Sequence, residues 1–347
     1  IRLFSGFCKY GCFLSVKYIA LNFYTLLSGS LIFLNLGLVP LTGAKEELST
    51  VHNLTIPRFN DDGHLSWELH ASEVKSKDKE TFLTKNPLLY LFNKQILDLT
   101  AKSESGEFSL QSERANGPGL FEVVGDGFSA RGINWQWNNS VPRGHNQMIF
   151  SRDGKVIFDQ GLGGFFVVSS DKDDPICNLT EEERNQTTGE IVTMPTIAQA
   201  NYLEFLSIIN DSHLFLLDGN VSIEGSNLLL TCDQIEVLFV KDANVTSSEI
   251  GKISRMDAKG KVVLRQGGRT SYGNHMTLDV TLGTVLLNGE ARVVDDEWGE
   301  ASGERIVLEK GKRKARVLGG ANSRPKLELP PLPDFGFNKK SKKSINQ

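Results

Sequence analysis

The chain is poor in the residues that most site chemistry uses. Its 347 residues hold four cysteines and six histidines, with no CxxC or CxxH spacing of the kind that binds zinc. His52, His64, His70, His145, His213 and His275 are scattered, and none has a metal partner at ligand spacing. His64 and His70 share strand parity, but Leu65 and Trp67 lie between them, which suits a surface pair better than ligands. The net charge is only −4 and no basic stripe with interleaved aromatics occurs, so nucleic acid is not an expected partner. Gly161-Leu162-Gly163-Gly164 lacks the strand-to-helix setting of a phosphate cradle. Four methionines stand against 33 glycines, a balance that favours many turns and few packed helices. No cofactor, metal site or catalytic residue is expected.

Methionine is also missing before Met148. After Lys17 comes the uncharged apolar run YIALNFYTLLSGSLIFLNLGLVPL, ending in Thr42-Gly43-Ala44 before Lys45-Glu46-Glu47. A basic region, an apolar run and a small-residue end make a secretory signal over residues 1–44, with a start near Val16 and cleavage after Ala44. The run also reaches the ~20 residues needed to cross a bilayer, so a retained anchor is the alternative. Both readings export the remainder, and a periplasmic location is expected. An oxidising compartment permits a disulfide between Cys177 and Cys232; one loop cysteine and one buried cysteine fit equally well.

What the exported part has in abundance is alternation. NLTIPRF, HLSWELHASEV, PLLYLF, EFSLQS, LFEVV and INWQW read as short strands within a front domain, residues 45–170. Residues 171–200 are mostly polar and patternless, a linker or surface insert. Residues 197–209 fit either a short helix or a strand. Strands resume in a second domain, 201–320, and the Pro-rich then Lys-rich tail, 321–347, has a disordered composition.

The second domain repeats. Gly219-Asn220-Val221, Gly260-Lys261-Val262 and Gly289-Glu290-Ala291 each open an apolar-alternating run. Downstream lie Asp233-Gln234-Ile235-Glu236-Val237, Asn274-His275-Met276-Thr277-Leu278 and Glu304-Arg305-Ile306-Val307-Leu308, at offsets of 14, 14 and 15 residues from the glycines. A small residue precedes each: Cys232, Gly273, Gly303. Gly319 opens a truncated fourth copy. A repeated unit that cannot bury its own face must stack on its neighbours. The period of two makes each unit a pair of strands, with the glycines at turns or bulges. The expected fold is all-β, a jelly roll or solenoid.

These residues resemble the OstA/LptA-type periplasmic lipopolysaccharide-transport domain. The likeness rests on the G-N-V opening, on Thr231-Cys232-Asp233-Gln234-Ile235-Glu236-Val237, and on the Leu287-Asn288-Gly289 return, over about residues 211–320. Residues 51–168 resemble the LptC-related domain more weakly, through Gly63–Ala71, Asn86-Pro87, Gly125-Asp126-Gly127 and Trp135. The resemblance implies a twisted, partly open β-jelly-roll, here two in tandem. It also implies carriage of the acyl chains of lipid A in a groove toward the outer membrane. The implied partners are lipopolysaccharide and other jelly-roll proteins of a transport bridge, met through edge strands near Arg316–Gly319, with head-to-tail self-association as a further possibility.

Strand parity gives the candidate groove. Ile223, Ile235, Val237, Val262, Leu264, Met276, Leu278, Val280, Val285, Leu287, Ile306 and Leu308 fall on one face, and charged or polar residues alternate with them. The same face fills an ordinary closed core if the sheets do not splay. An open groove predicts that Leu278→Asp stays folded. Two other functions remain: a secreted β-helix carbohydrate-active enzyme, for which Asp295-Asp296-Glu297 could supply an acid/base pair although a solvated turn is the commoner reading of such a run, and a structural β-scaffold or adhesin.

Overall fold

A computed structural model describes residues 50–141, 144–162, 194–208, 212–240, 252–297, 299–310, 315–320 and 324–329. The leader, residues 171–193, Cys177 and the tail beyond residue 329 lie outside the described residues. All the described residues fall in one compact unit. Among them there is no helix and there are nineteen strands. In the front part these are β1 (Thr50–Phe59), β2 (Leu65–Ser76), β3 (Thr81–Lys85), β4 (Leu88–Asn93), β5 (Ile96–Ser103), β6 (Ser105–Ser109), β7 (Arg114–Gly125), β8 (Phe128–Val141) and β9 (Gly144–Phe158). The rear part has β10 (Thr196–Ala200), β11 (Tyr202–Ile208), β12 (Ser212–Gly225), β13 (Leu228–Val240), β14 (Lys252–Gln266), β15 (Arg269–Asp279), β16 (Thr284–Asp295), β17 (Gly299–Glu309), β18 (Ala315–Leu318) and β19 (Lys326–Glu328).

Every pairing is antiparallel, and the strands run up and down with each long strand bonded to its neighbours along the chain. No described pairing joins β1 to β18 or β19, so the sheet is open, a twisted jelly-roll-like meander. The short strands β3 with β4, β5 with β6, β10 with β11 and β18 with β19 are each the two halves of one interrupted strand. For example, β3 bonds Glu73–Ser76 of β2 while β4 bonds Trp67–His70.

The interruption is the repeat seen in the sequence. The β12–β13 register slips between Asp218 and Val221, the β14–β15 register between Lys259 and Val262, and the β16–β17 register between Asn288 and Ala291. Each slip contains a glycine and its follower with positive φ: Gly219 and Asn220, Gly260 and Lys261, Gly289 and Glu290. Two left-handed residues in a row cannot continue a pleat, so the strand bends there. The repeated glycines therefore lie in the middle of strands, not at their starts as the run-by-run reading expected. The polar residues at the 14-residue offset stand opposite: Asp233 against Gly260, Asn274 against Gly289, and Glu304 against Gly320. Asn201, between β10 and β11, stands against Gly219 and donates its N–H to the Gly219 carbonyl at 2.9 Å. One polar–glycine contact recurs along the fold line.

Bending every strand on one line folds the sheet into two layers that face each other. One layer holds β3, β6, β11 and β18; the other holds β4, β5, β10 and β19. Rings from opposite layers meet across the interior, as with Phe158 and Phe215 at 5.1 Å and Phe121 stacked on Trp135 at 4.1 Å. One contiguous hydrophobic cluster runs from Trp67 to Leu308.

The stretch between front and rear parts is clarified at its rear end. Residues 196–200, within the expected linker, form β10, and the described part of the ambiguous 197–209 run, to Ile208, is strand, not helix. Both β10 and β11 bond β9, so the described front and rear strands belong to one hydrogen-bonded sheet. Ala198 sits between Val156 and Ile223, and Phe205 between Met148 and Phe215. Short apolar runs of this size carry no periodicity that separates helix from strand; the two available edges decide.

Candidate functional site

The interior between the layers is the candidate site. Cross-strand neighbours on an inner face form continuous rows. In the first layer Val237, Met256, Leu278, Val285 and Leu308 stand in register, and beside them Ile235, Ala258, Met276, Leu287 and Ile306. In the second layer Ile223, Leu230, Leu264, Ser271, Val293, Ala301 and Leu327 make the facing row. Ten of the twelve residues named from the sequence are completely or almost completely buried here, at 0–1 % exposure. Leu308 is 4 % exposed, and Val280, just past β15, packs against the cluster from its margin.

Leu278, at 1 % exposure, is enclosed. The groove therefore does not open along its length at this position, and a carboxylate there would not stay hydrated. The interior opens at the C-terminal end. A cleft of about 530 Å³ lies between β18 and β19, walled by Val293, Ala301, Ala315, Val317 and Leu327. Arg269 and Asp295 stand at its margin, 3.4 Å apart. Sequence reasoning missed these wall residues, along with Ile253, Met256 and Ala258 of β14. The signal was present, because KISRMDAKGKVV alternates once a bulge is allowed. Placing the strand start at Gly260 hid its first half.

The rear and front interiors differ in kind. The inner rows from β14 onward carry valine, leucine, isoleucine, methionine and alanine, with Ser271 interrupting the second-layer row. The front is aromatic, with Trp67, Phe108, Phe121, Phe128, Trp135, Trp137, Phe150 and Phe158 each at most 2 % exposed. Phe205, Phe215 and Phe239 continue this packing through the middle.

A buried polar group sits at the middle of the interior, unforeseen from the sequence. His213 Nδ1 lies 3.3 Å from Ser207 Oγ, and its Nε2 lies 3.8 Å from Asp98 Oδ1. His213 is 1 % exposed, and Phe128, Phe205 and Phe239 pack around its ring. Ser207 and His213 belong to the first layer and Asp98 to the second, so the contact ties the layers together. The three residue types are those of a hydrolytic triad. Among the described residues the Ser207 hydroxyl is enclosed, its residue being 1 % exposed.

The outer faces are wet. Asp257 accepts hydrogen bonds from Arg255 Nε at 2.6 Å and Thr277 Oγ1 at 2.8 Å. Burial pushes its carboxyl up, but the bonds from Arg255 and Thr277 outweigh this and hold it below the usual carboxylate range. Cys232 lies on the inner side near the fold line, where burial and the neighbouring Asp233 carboxylate push its thiol up to about 12. Asp295-Asp296-Glu297 forms the β16–β17 turn, with the Glu297 N–H donating to Asp295 Oδ1 at 3.0 Å. His70 sits on an outer face, with its ring edge-on to Tyr90 at 5.2 Å.

Together these features define an all-β protein of an open class: a bent meander with a continuous apolar interior that the described residues leave unsealed at one end. Residues 205–314 match the family described as LptA/(LptD N-terminal domain) LPS transport protein, and it is this part of the chain that is similar to that family. Among solved structures the chain is similar to LptH, the LptA homologous periplasmic component of the lipopolysaccharide transport device of Pseudomonas aeruginosa. The identity is 19 %, the likeness covers 40 % of this chain and 96 % of that one, and the TM-score is 0.32. No curated protein matches the chain.

Proposed function

We propose that the protein is a periplasmic carrier that shelters the acyl chains of lipopolysaccharide between its two layers on the way to the outer membrane. The apolar cleft at the C-terminal end carries this reading, because its wall residue Val317 stands next to Ile306 at the end of the row of Ile235, Met276 and Leu287. Exposing acyl chains to water costs ~0.8 kcal/mol per CH₂, so a multi-chain glycolipid needs such shelter to cross an aqueous compartment. Aliphatic walls with few polar groups suit chains of varied length and select for greasiness over identity. The domain type of residues 205–314 agrees with the cargo.

The same end offers the docking edge. Among the described residues β18 bonds only β17, which leaves its outer edge open to a strand of another jelly-roll protein or of a second copy. The LptC-like character of the front part belongs to this proposal too, and rests on that part's own motifs.

Two variants separate carriage from folding. Leu327 is 65 % exposed at the mouth, so Leu327→Asp is expected to leave the fold intact and weaken lipopolysaccharide binding severalfold. Leu278→Asp buries an unpaired charge and is expected to unfold the rear part, a loss of several kcal/mol. A photo-crosslinker at Val317 should capture lipopolysaccharide in native protein. Absence of that adduct, with normal binding by Leu327→Asp, would remove the cleft from the lipid path.

A further inference from the structure

Three tryptophans of the front interior, Trp67, Trp135 and Trp137, are at most 2 % exposed, yet none of their Nε1–H groups has a hydrogen-bond acceptor. Trp67 comes from the second layer and Trp137 from the first; they meet edge-on at 5.7 Å. Trp135 lies on Phe121 and fills the space that the missing side chain of Gly117 leaves on the inner face. Buried donors are nearly always paired, and three orphans in one interior call for an explanation. Phenylalanine would fill much the same volume with no donor to satisfy, and aromatic faces are weak acceptors.

We infer that these indoles form a binding site for the ester or amide carbonyl of an acylated amphiphile, reached through the apolar interior. The inference rests on the carrier reading above and extends it into the front part. A neutral carbonyl is the acceptor that travels with an acyl chain. A phosphate or carboxylate would have to lose its hydration in an aromatic interior, at far greater cost. Entry is mechanically feasible, because among the described residues no strand pairing ties the rims of the two layers together.

The test compares a monoacylglycerol with the alkyl ether of the same chain length, which lacks only the carbonyl. Native protein is expected to bind the ester about tenfold more tightly, the worth of roughly one good hydrogen bond. Ester, but not ether, should also shift the tryptophan emission to the red. In the Trp135→Phe/Trp137→Phe variant the ester preference should collapse, while the unliganded protein melts no lower by more than a few degrees, since an unsatisfied donor has been removed. Equal affinity of native protein for ester and ether overturns the inference and leaves the carrier reading standing. An ester preference retained by the double variant does the same. Native protein that binds neither compound, nor lipopolysaccharide, overturns both.

Discussion

Gly260 shows how much a single position carries. Its φ of 75° is one that side chains rarely adopt, and a Cβ there would come 2.8 Å from the Asp233 Cβ. Gly63 has a similar φ of 79° with nothing near the missing side chain. Gly260→Ala is therefore expected to cost about 1–3 kcal/mol from backbone strain plus a contact penalty, and Gly63→Ala the strain alone. Combining Gly260→Ala with Asp233→Ala should recover the part of the contact penalty owed to the carboxylate, while the part owed to the Asp233 Cβ remains. Urea denaturation of the four proteins checks this, and equal losses for the two glycine variants would show that the Asp233 contact is inconsequential. The same reasoning explains why the 14-residue offset was legible in the sequence. It places Asp233, Asn274 and Glu304 on the following strand, opposite the two bulged residues that begin at Gly219, Gly260 and Gly289.

At the scale of the element, β14 carries both faces of the design. Met256, Ala258, Val262 and Leu264 point inward, while Asp257 faces out between Arg255 and Thr277. The Asp257 pKa is lower in the folded protein than its unfolded value near 4. The charged form is thus favoured by folding, and its contribution is complete above pH ~4 and lost as pH falls through the folded value. Asp257→Asn should be less stable than native protein by roughly 0.5–1 kcal/mol at neutral pH, after allowance for solvent screening of this partly exposed group. That gap should close toward pH 3. A gap that is unchanged or wider in acid, measured by denaturation at both pH values, would show that the ion pair is not the cause. The element also explains an error of boundary. Alternation keeps its phase across the Gly260–Lys261 bend, with Ala258 and Val262 both inward, so a reader who takes the glycine as a strand start loses the inner residues before it.

For the molecule as a whole, the continuity of the sheet matters most. The sequence divides naturally at its polar insert, yet β9 bonds β10 and β11, and the inner rows pass through that junction without a break. A rear fragment, residues 194–329, would expose the edges of β10 and β11 together with inner residues such as Ala198 and Phe205. It is expected to melt well below the full chain and to self-associate, because an open apolar edge invites another strand. Thermal melting and sedimentation decide the matter: a stable monomeric fragment would mean that the two parts are independent domains. In a stacked meander each unit is stabilised chiefly by its neighbours, so loss of the front should weaken the nearest rear strands most.

The all-β class, the bend motif, the inward parity of the twelve named residues and the likeness of residues 211–320 to a lipid-transport domain were determined by the sequence alone. Each is local: parity needs only the two-residue period of a strand, and the bend needs only a glycine and its follower in left-handed backbone. Three things were decided by tertiary structure. The interior is enclosed around Leu278 and open between β18 and β19, because closure depends on how two distant halves of every strand face each other. The short run at 196–208 becomes strand because β9 and β12 offer it edges on both sides. And Asp98, Ser207 and His213, like the three indoles, acquire meaning only when layers remote in sequence bring them together, which no spacing along the chain records.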